Sequence, residues 1–237
     1  MNDGFSWIAQ APEFVVVNKM PGCDFHSSPA QPGLVVQVSE ALGQRLWPVH
    51  RLDKMTSGLV LLARSEAAAR IFGELFAART MEKFYLAIGV GKPKKKQGLV
   101  AGDMVRSRRS CWKLSPSVNN PAITQFFSQG LGEKQRLYLL KPHTGKTHQL
   151  RVALKSLGVA IVGDPLYGGA MEGDAALARG HLHAYQMGFY AFDQHWQFSA
   201  QPSGGLFDRE ATQQLLRDHF HAPAALPWPA LPASLVQ

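Results

Sequence analysis

The sequence predicts a domain of the α+β class, with strands and helices mixed along one chain. Three observations carry that reading. Short branched apolar runs recur, as in Phe14–Asn18 (FVVVN), Glu82–Gly89 (EKFYLAIG) and Arg136–Lys141 (RLYLLK), and runs of this kind bounded by turn residues read as strands. Between them, apolar residues fall at helical spacing. Finally, 46% of the 237 residues are hydrophobic, which suits a packed core and argues against global disorder.

Taken in order, Phe14–Asn18 is a strand, punctuated by Lys19, Pro21 and Gly22. Val35, Val38, Leu42 and Leu46 predict a helix over residues 34–46. Ser65 is placed to cap a helix running to Arg79, with Ile71, Phe72, Leu75 and Phe76 on its inner face. After the strand at residues 82–89, residues 91–121 change character. Lys92, Lys94, Lys95 and Lys96 lie close together, and Arg106, Arg108, Arg109 and Lys113 follow, as in a basic loop and hairpin. Two readings stand side by side here: a solvated connection, or a surface for backbone phosphates.

Thr124–Phe127 and Arg136–Lys141 are strand-like, and a helix is predicted from Thr147 to Leu157. Leu150, Leu154 and Leu157 form its buried face and Gly158 its C-cap. Ala160–Val162 begins a short apolar element that Gly163-Asp164-Pro165 ends, and Tyr167-Gly168-Gly169 opens a loop. Gly188–Ala191 and Trp196–Ala200 flank a hairpin, and a helix spans Arg209–His219. Pro223, Pro227, Pro229 and Pro232 exclude regular structure from the tail. The chain therefore reads as a single domain over residues 1–222 with a Pro-rich tail over 223–237, and no internal repeat.

Composition narrows the function. Lys plus Arg number 25 against 17 acids, a net charge of +8, and such a balance favours a polyanionic partner, nucleic acid first. No apolar stretch approaches 18 residues and the N-terminus lacks the pattern of a signal peptide, so neither a membrane span nor secretion is expected. Cys23 and Cys111 are the only cysteines, which suits a reducing cytoplasm.

The most telling stretch is His50–Arg64, HRLDKMTSGLVLLAR. A charged tetrad and a small turn precede the apolar run Leu59–Ala63, which reads as a buried strand, with a buried helix as the alternative. Asp53 thus sits at the mouth of a buried element, where an ionised carboxylate is costly without a cation or donors facing it. Proteins carry that cost chiefly at functional sites.

Several motifs are absent. Gly145-Lys146-Thr147 resembles the end of a P-loop, but Leu140 stands where the loop needs its first glycine. No GxGxxG follows a strand and no GxSxG occurs, so dinucleotide binding and the nucleophile elbow have no support. His181 and His183 would share a strand face, and His143 and His148 are tolerably spaced, but neither pair has Cys or carboxylates in a ligand pattern, so no metal is expected. Arg151 lies beside the apolar stripe of its helix, where an arginine usually has a carboxylate partner; a structural ion pair with any acid satisfies that rule. Tyr85 lies within a strand and fits a core position equally well.

The strings together resemble the RluA family of pseudouridine synthases. HRLDKMTSGLVLLAR is similar to its signature, FVVVNKMPGCDFH to its opening strand and lysine turn, and EKFYLAIGVG to its tyrosine motif. HTGKTHQLRVAL with GVAIVGDPLYG resembles its arginine motif, and HLHAY a late strand motif. These five blocks occur in family order from about Phe14 to Tyr185.

The resemblance implies a mixed, mainly antiparallel central sheet flanked by helices and loops. It also implies an enzyme that isomerises uridines of rRNA or tRNA without a cofactor, as a cytoplasmic monomer by default. Asp53 matches the catalytic aspartate, Tyr85 the tyrosine that stacks on the base and Arg151 the basic residue paired with the aspartate. On this reading those three side chains meet in one pocket. Arg51 matches a residue that displaces the target base, and Leu182 lies in the motif beneath it. Lys19, His50, Lys146, Thr147 and His148 fall in matched motifs and are carried over as substrate-binding.

Two departures stand out: Met20 where proline is common, and Ala153 where histidine is common. Both are peripheral to the trio. The start of the chain is too short for a separate N-terminal RNA-binding domain of the S4 type. Target choice then falls to the catalytic domain, including residues 91–121. Two other readings compete. One is an inactive RNA-binding or chaperone module of the same fold, against which the intact HRLD, Tyr85 and Arg151 count. The other is a glycoside-type hydrolase, which needs a second carboxylate that no motif supplies.

Overall fold

The computed structural model describes residues 4–108, 110–168 and 179–235. Arg109 and the loop opened at Gly169 therefore lie outside the described residues. In chain order the first half holds β1 (Phe5–Gln10), β2 (Phe14–Lys19), α1 (Leu34–Leu42), β3 (Trp47–Pro48), β4 (Ser57–Ala63) and α2 (Glu66–Ala77). Then come β5 (Glu82–Gly91), β6 (Gly98–Arg106), β7 (Trp112–Ser115), β8 (Ala122–Gly132), β9 (Gln135–Pro142), α3 (Gln149–Ser156) and β10 (Val159–Ile161). The last part holds β11 (Leu182–Ala191), β12 (Gln194–Ser199) and α4 (Glu210–Leu215). No described helix is long and apolar enough to cross a membrane.

The chain divides into two compact units, residues 1–83 with 182–202, and residues 84–181 with 203–237. In the first, β2 pairs antiparallel with β1 and β4, β3 pairs with the end of β4, β11 pairs parallel with β4, and β12 closes the β11 hairpin. In the second, β10, β5, β9, β8, β6 and β7 pair in that order, all antiparallel. This is the mixed, mainly antiparallel α+β architecture expected.

The apolar run after the HRLD tetrad is a strand, and all seven residues of β4 are buried. Phe14 of β2 anchors the core of the first unit, its ring edge-on to Phe72 at 5.6 Å and to Trp196 at 4.9 Å. Helix α2 begins as its sequence directs: the Ser65 side chain accepts from the Ala68 N–H, a cap that contributes about 1 kcal/mol. Phe72 is fully buried, yet Ile71 is exposed. Neighbours in a helix point 100° apart, and the sheet takes only the Ala68–Phe72 edge.

The predicted helix over 34–46 ends at Leu42, because Gly43 adopts φ +66° and its N–H closes back on Glu40. Residues 91–121 do form a hairpin, β6 with β7. The Arg209–His219 helix is α-helical only to Leu215 and continues as a π-helical turn, Leu216–Phe220. The tail holds more structure than its prolines suggest. Pro223–Ala225 and Ala233–Leu235 form 3-10 turns, the first opening on a proline whose missing N–H costs nothing there. Trp228 packs on Phe127 with ring centroids 4.5 Å apart, and Gln125 donates to the Pro229 carbonyl at 2.6 Å.

Candidate active site

In the first unit the HRLD tetrad is a loop delivered to the start of β4. Leu52 is buried, Asp53 half-buried and Arg51 exposed. The Asp53 carbonyl accepts from the Thr56 N–H at 3.0 Å, closing a tight turn. Three further contacts fix that turn from outside.

The first is His50. Its Nε2 accepts from the Leu61 N–H at 2.9 Å and its ring packs on Phe76. Burial, aided by the Lys83 charge, pushes its pKa down to about 3. His50 is thus a neutral imidazole that ties the loop to β4. The second is Lys19, fully buried at the end of β2. Its ammonium donates to the carbonyls of Met20, Cys23 and Lys54 at 3.1, 2.8 and 3.2 Å. The last of these belongs to the residue after Asp53, and the Gly22 N–H reaches the same oxygen at 2.9 Å.

The third contact is the crossing of β4 with β11. Gly58 has φ +109°, and a Cβ there would lie 2.2 Å from the Ala184 carbonyl oxygen. Only glycine admits that approach. Beside it, Ser57 Oγ meets His183 Nδ1 at 2.8 Å and His183 Nε2 meets the Ala200 carbonyl at 2.7 Å. A carbonyl only accepts, so Nε2 carries the proton and Nδ1 takes the serine hydroxyl. Leu182 begins the same strand and is buried.

In the second unit Tyr85 lies half-buried on β5, opposite Leu140 of β9. Arg151 lies on α3, only 4% exposed. Its Nε and Nη2 each donate to Asp164, to Oδ2 and Oδ1, at 2.7 Å. Asp164 is wholly buried and also accepts from the Leu166 and Tyr167 N–H groups at 2.9 and 3.0 Å. Burial works to raise its pKa, but the Arg151 guanidinium and the two N–H donors outweigh it and hold the carboxyl below its usual value. The guanidinium also lies over the Tyr167 ring, 5.0 Å from its centroid. Tyr167 Oη accepts from the Trp112 N–H at 2.7 Å and meets His148 Nδ1 at 3.0 Å.

The turn before α3 is built by Gln149. Its Oε1 accepts from Thr144 Oγ1 and the Lys146 N–H at 2.8 and 2.9 Å, and its Nε2 donates to the Ile123 carbonyl at 3.0 Å. His148 takes φ +57° at the cap, so the helix starts at Gln149 rather than Thr147. Lys146 Nζ donates to Asn120 Oδ1 at 2.7 Å, and Thr147 is exposed.

Asp53, Arg51, His50, Lys19 and Leu182 thus belong to the first unit, and Tyr85, Arg151, Lys146, Thr147 and His148 to the second. Sequence reasoning missed Asp164, Tyr167 and Gln149 as partners. The GDPLYG string contained the first two, with an acid and a ring beside two glycines. His181, weighed as a metal ligand, is buried, with Nδ1 toward the Val162 carbonyl at 3.2 Å and Nε2 accepting from the Leu206 N–H at 2.9 Å. Among the described residues no three His, Cys, Asp or Glu side chains are grouped to hold a metal.

A family model described as RNA pseudouridylate synthase matches residues 13–156, more than half of the chain. The chain is 44% identical over 201 residues to an uncharacterized RNA pseudouridine synthase of Haemophilus influenzae, covering 84% of this chain and 88% of that one. It is 30% identical to the dual-specificity RNA pseudouridine synthase RluA of Vibrio parahaemolyticus, with 83% of each covered. Among solved structures it is similar to human RNA pseudouridylate synthase domain containing 1, with TM-score 0.70, 25% identity, and 96% and 98% of the two chains covered.

Proposed function

Because the chain belongs to the RNA pseudouridine synthase family, we propose that this isomerase converts particular uridines of structured rRNA or tRNA, with Asp53 as its catalytic carboxylate. The observation that carries the proposal is the Asp53 turn. The turn that carries the half-buried Asp53 is held, through its backbone and that of the strand it enters, by Lys19, His50 and the Gly58 crossing. Three separate devices fixing one short turn suit a group that must be placed accurately.

The reaction sets the roles. Uracil leaves C1′ through N1, turns, and rejoins through C5, which loses its proton to water while N1 takes one up. Electrons balance within the substrate, so the chemistry calls for no redox cofactor. Asp53 acts on the sugar as nucleophile or as base. Arg151 supplies the cation of the matched arginine motif, its guanidinium oriented by Asp164, and Tyr85 holds the detached ring by stacking. Arg51, exposed beside Asp53, fills the place of the target base when it is extruded, a step that costs roughly a few kcal/mol. Lys146, Thr147 and His148 meet the RNA strand, while Lys19 and His50 act through the turn they hold. The enzyme works as a cytoplasmic monomer.

The test is tritium release from C5-tritiated rRNA and tRNA transcripts. Release with pseudouridine in the digested product is expected. Free uracil would indicate a hydrolase, and no release would leave an RNA-binding module.

A further inference from the structure

A cleft of about 370 Å3 opens in the second unit, lined by Asp103, Met104, Trp112, Asn120 and the 145–147 turn. Its size lies at the lower end of the roughly 300–1,000 Å3 range of small-ligand sites. The proposed reaction assigns it no part beyond Lys146 and Thr147, and β6 and β7 supply Asp103, Met104 and Trp112 to its wall.

The lining combines three chemistries. Trp112 offers an aromatic face. Its backbone is fixed by Tyr167 Oη at 2.7 Å, and Arg106 stands 5.6 Å from its ring centroid. Lys146 offers a cation. Its Nζ partner is the Asn120 carboxamide, a neutral group that leaves the charge in place. Asp103 offers an anionic acceptor, held by the Asn120 and Asn119 N–H groups at 2.8 and 3.1 Å. A carboxylate in the wall disfavours a bare anion such as inorganic phosphate. A purely apolar ligand makes use of neither charged group in the wall. A nucleotide meets all three, with a π-face, a donor edge and a phosphate. Arg106, beside the Trp112 ring, is exposed, as are Arg108 and Lys113 of the same hairpin segment.

We propose that this cleft receives an unstacked nucleotide of the RNA strand that carries the target uridine. Its base lies on Trp112, a donor edge faces Asp103 and its phosphate meets Lys146. The inference rests on the isomerase reading above and adds a contact for choosing the substrate. The 145–147 turn leads directly into the helix bearing Arg151. Stacking tolerates every base, and each of the four bases carries an amino or imino donor that Asp103 can accept.

The experiment is steady-state kinetics on the tritiated transcripts with the full chain. Trp112→Ala is expected to raise KM about tenfold, the size of a lost base–aromatic stack, with kcat within about twofold. Trp112→Phe, which keeps a ring, is expected to recover most of the loss. Lys146→Met is expected to shallow the log–log salt dependence of binding by about one. An active wild type with an unchanged KM in Trp112→Ala would overturn the subsite alone. So would a Trp112→Phe variant as impaired as Trp112→Ala, since that marks a packing defect. A wild type that releases no tritium would remove the isomerase reading and the subsite together.

Discussion

Arg151 and Asp164 form a buried, two-pronged ion pair, with both nitrogen–oxygen distances at 2.7 Å. The carboxylate also takes two backbone N–H groups, so it fixes the rotamer of Arg151 from behind. Breaking such a pair from one side leaves a buried charge without its answer. Asp164→Ala is therefore expected to lower stability by about 3–5 kcal/mol, read from urea unfolding. Replacing both residues together, Arg151→Met with Asp164→Leu, is expected to recover much of that stability yet no isomerisation. Asp164 also shapes the acid limb. Its folded pKa is depressed, so its contribution is present above the unfolded value of about 3.9 and fades as pH falls through the lower folded value.

His50 and His181 act at milder pH. Burial holds them neutral, with pKa values of about 3 and about 4. Unfolded histidines bind protons below about 6.5, so between roughly pH 6 and pH 4 the unfolded chain takes up more protons than the folded one. Stability is expected to fall with falling pH by about 1.4 kcal/mol per unit for each residue. His181→Asn is expected to flatten the slope by one such contribution in urea unfolding series at pH 7, 6 and 5; an unchanged slope would show that His181 titrates alike in both states.

Gly58→Ala is expected to cost at least about 3 kcal/mol, because the new methyl both meets the Ala184 backbone and strains a positive φ. Thermal unfolding measures it. A loss under about 1 kcal/mol, the size of a routine substitution, would mean that β4 and β11 separate easily at this point.

Lys94, Lys95 and Lys96 are exposed in the segment before β6. Replacing all three with glutamine is expected to reduce the salt dependence of RNA binding by about two phosphate contacts. An unchanged slope in filter binding from low to moderate salt would mark them as a solvated stretch.

These relationships show where sequence reading stops. The buried strand after HRLD, the Ser65 cap, the Gly158 turn and the Trp196 hairpin were legible, because each depends on residues a few positions apart. Helix ends were less so. Gln149 builds the turn with its own side chain, and His148 takes a left-handed conformation that delays α3 by two residues. The partner of Arg151 was not legible, since any acid satisfies the rule that a buried arginine needs one; only the fold selects Asp164. The burial of Lys19 was not legible either, since only the folded turn gathers the three carbonyls that its ammonium reaches from fully buried ground. The tail was underestimated because proline excludes helices and strands but not 3-10 turns or the packing of Trp228.

The most direct measurement is pseudouridine formation by Asp53→Asn on transcripts that the wild type modifies, with RNA affinity measured on the same preparation. The substitution keeps shape and removes the charge. Product formation is expected to fall by at least about 10⁴-fold, on the scale of losing an essential nucleophile or base, while the dissociation constant for RNA changes by less than about threefold. Isomerisation that persists within tenfold of the wild type would contradict the assignment of the carboxylate, as would equal losses of turnover and binding.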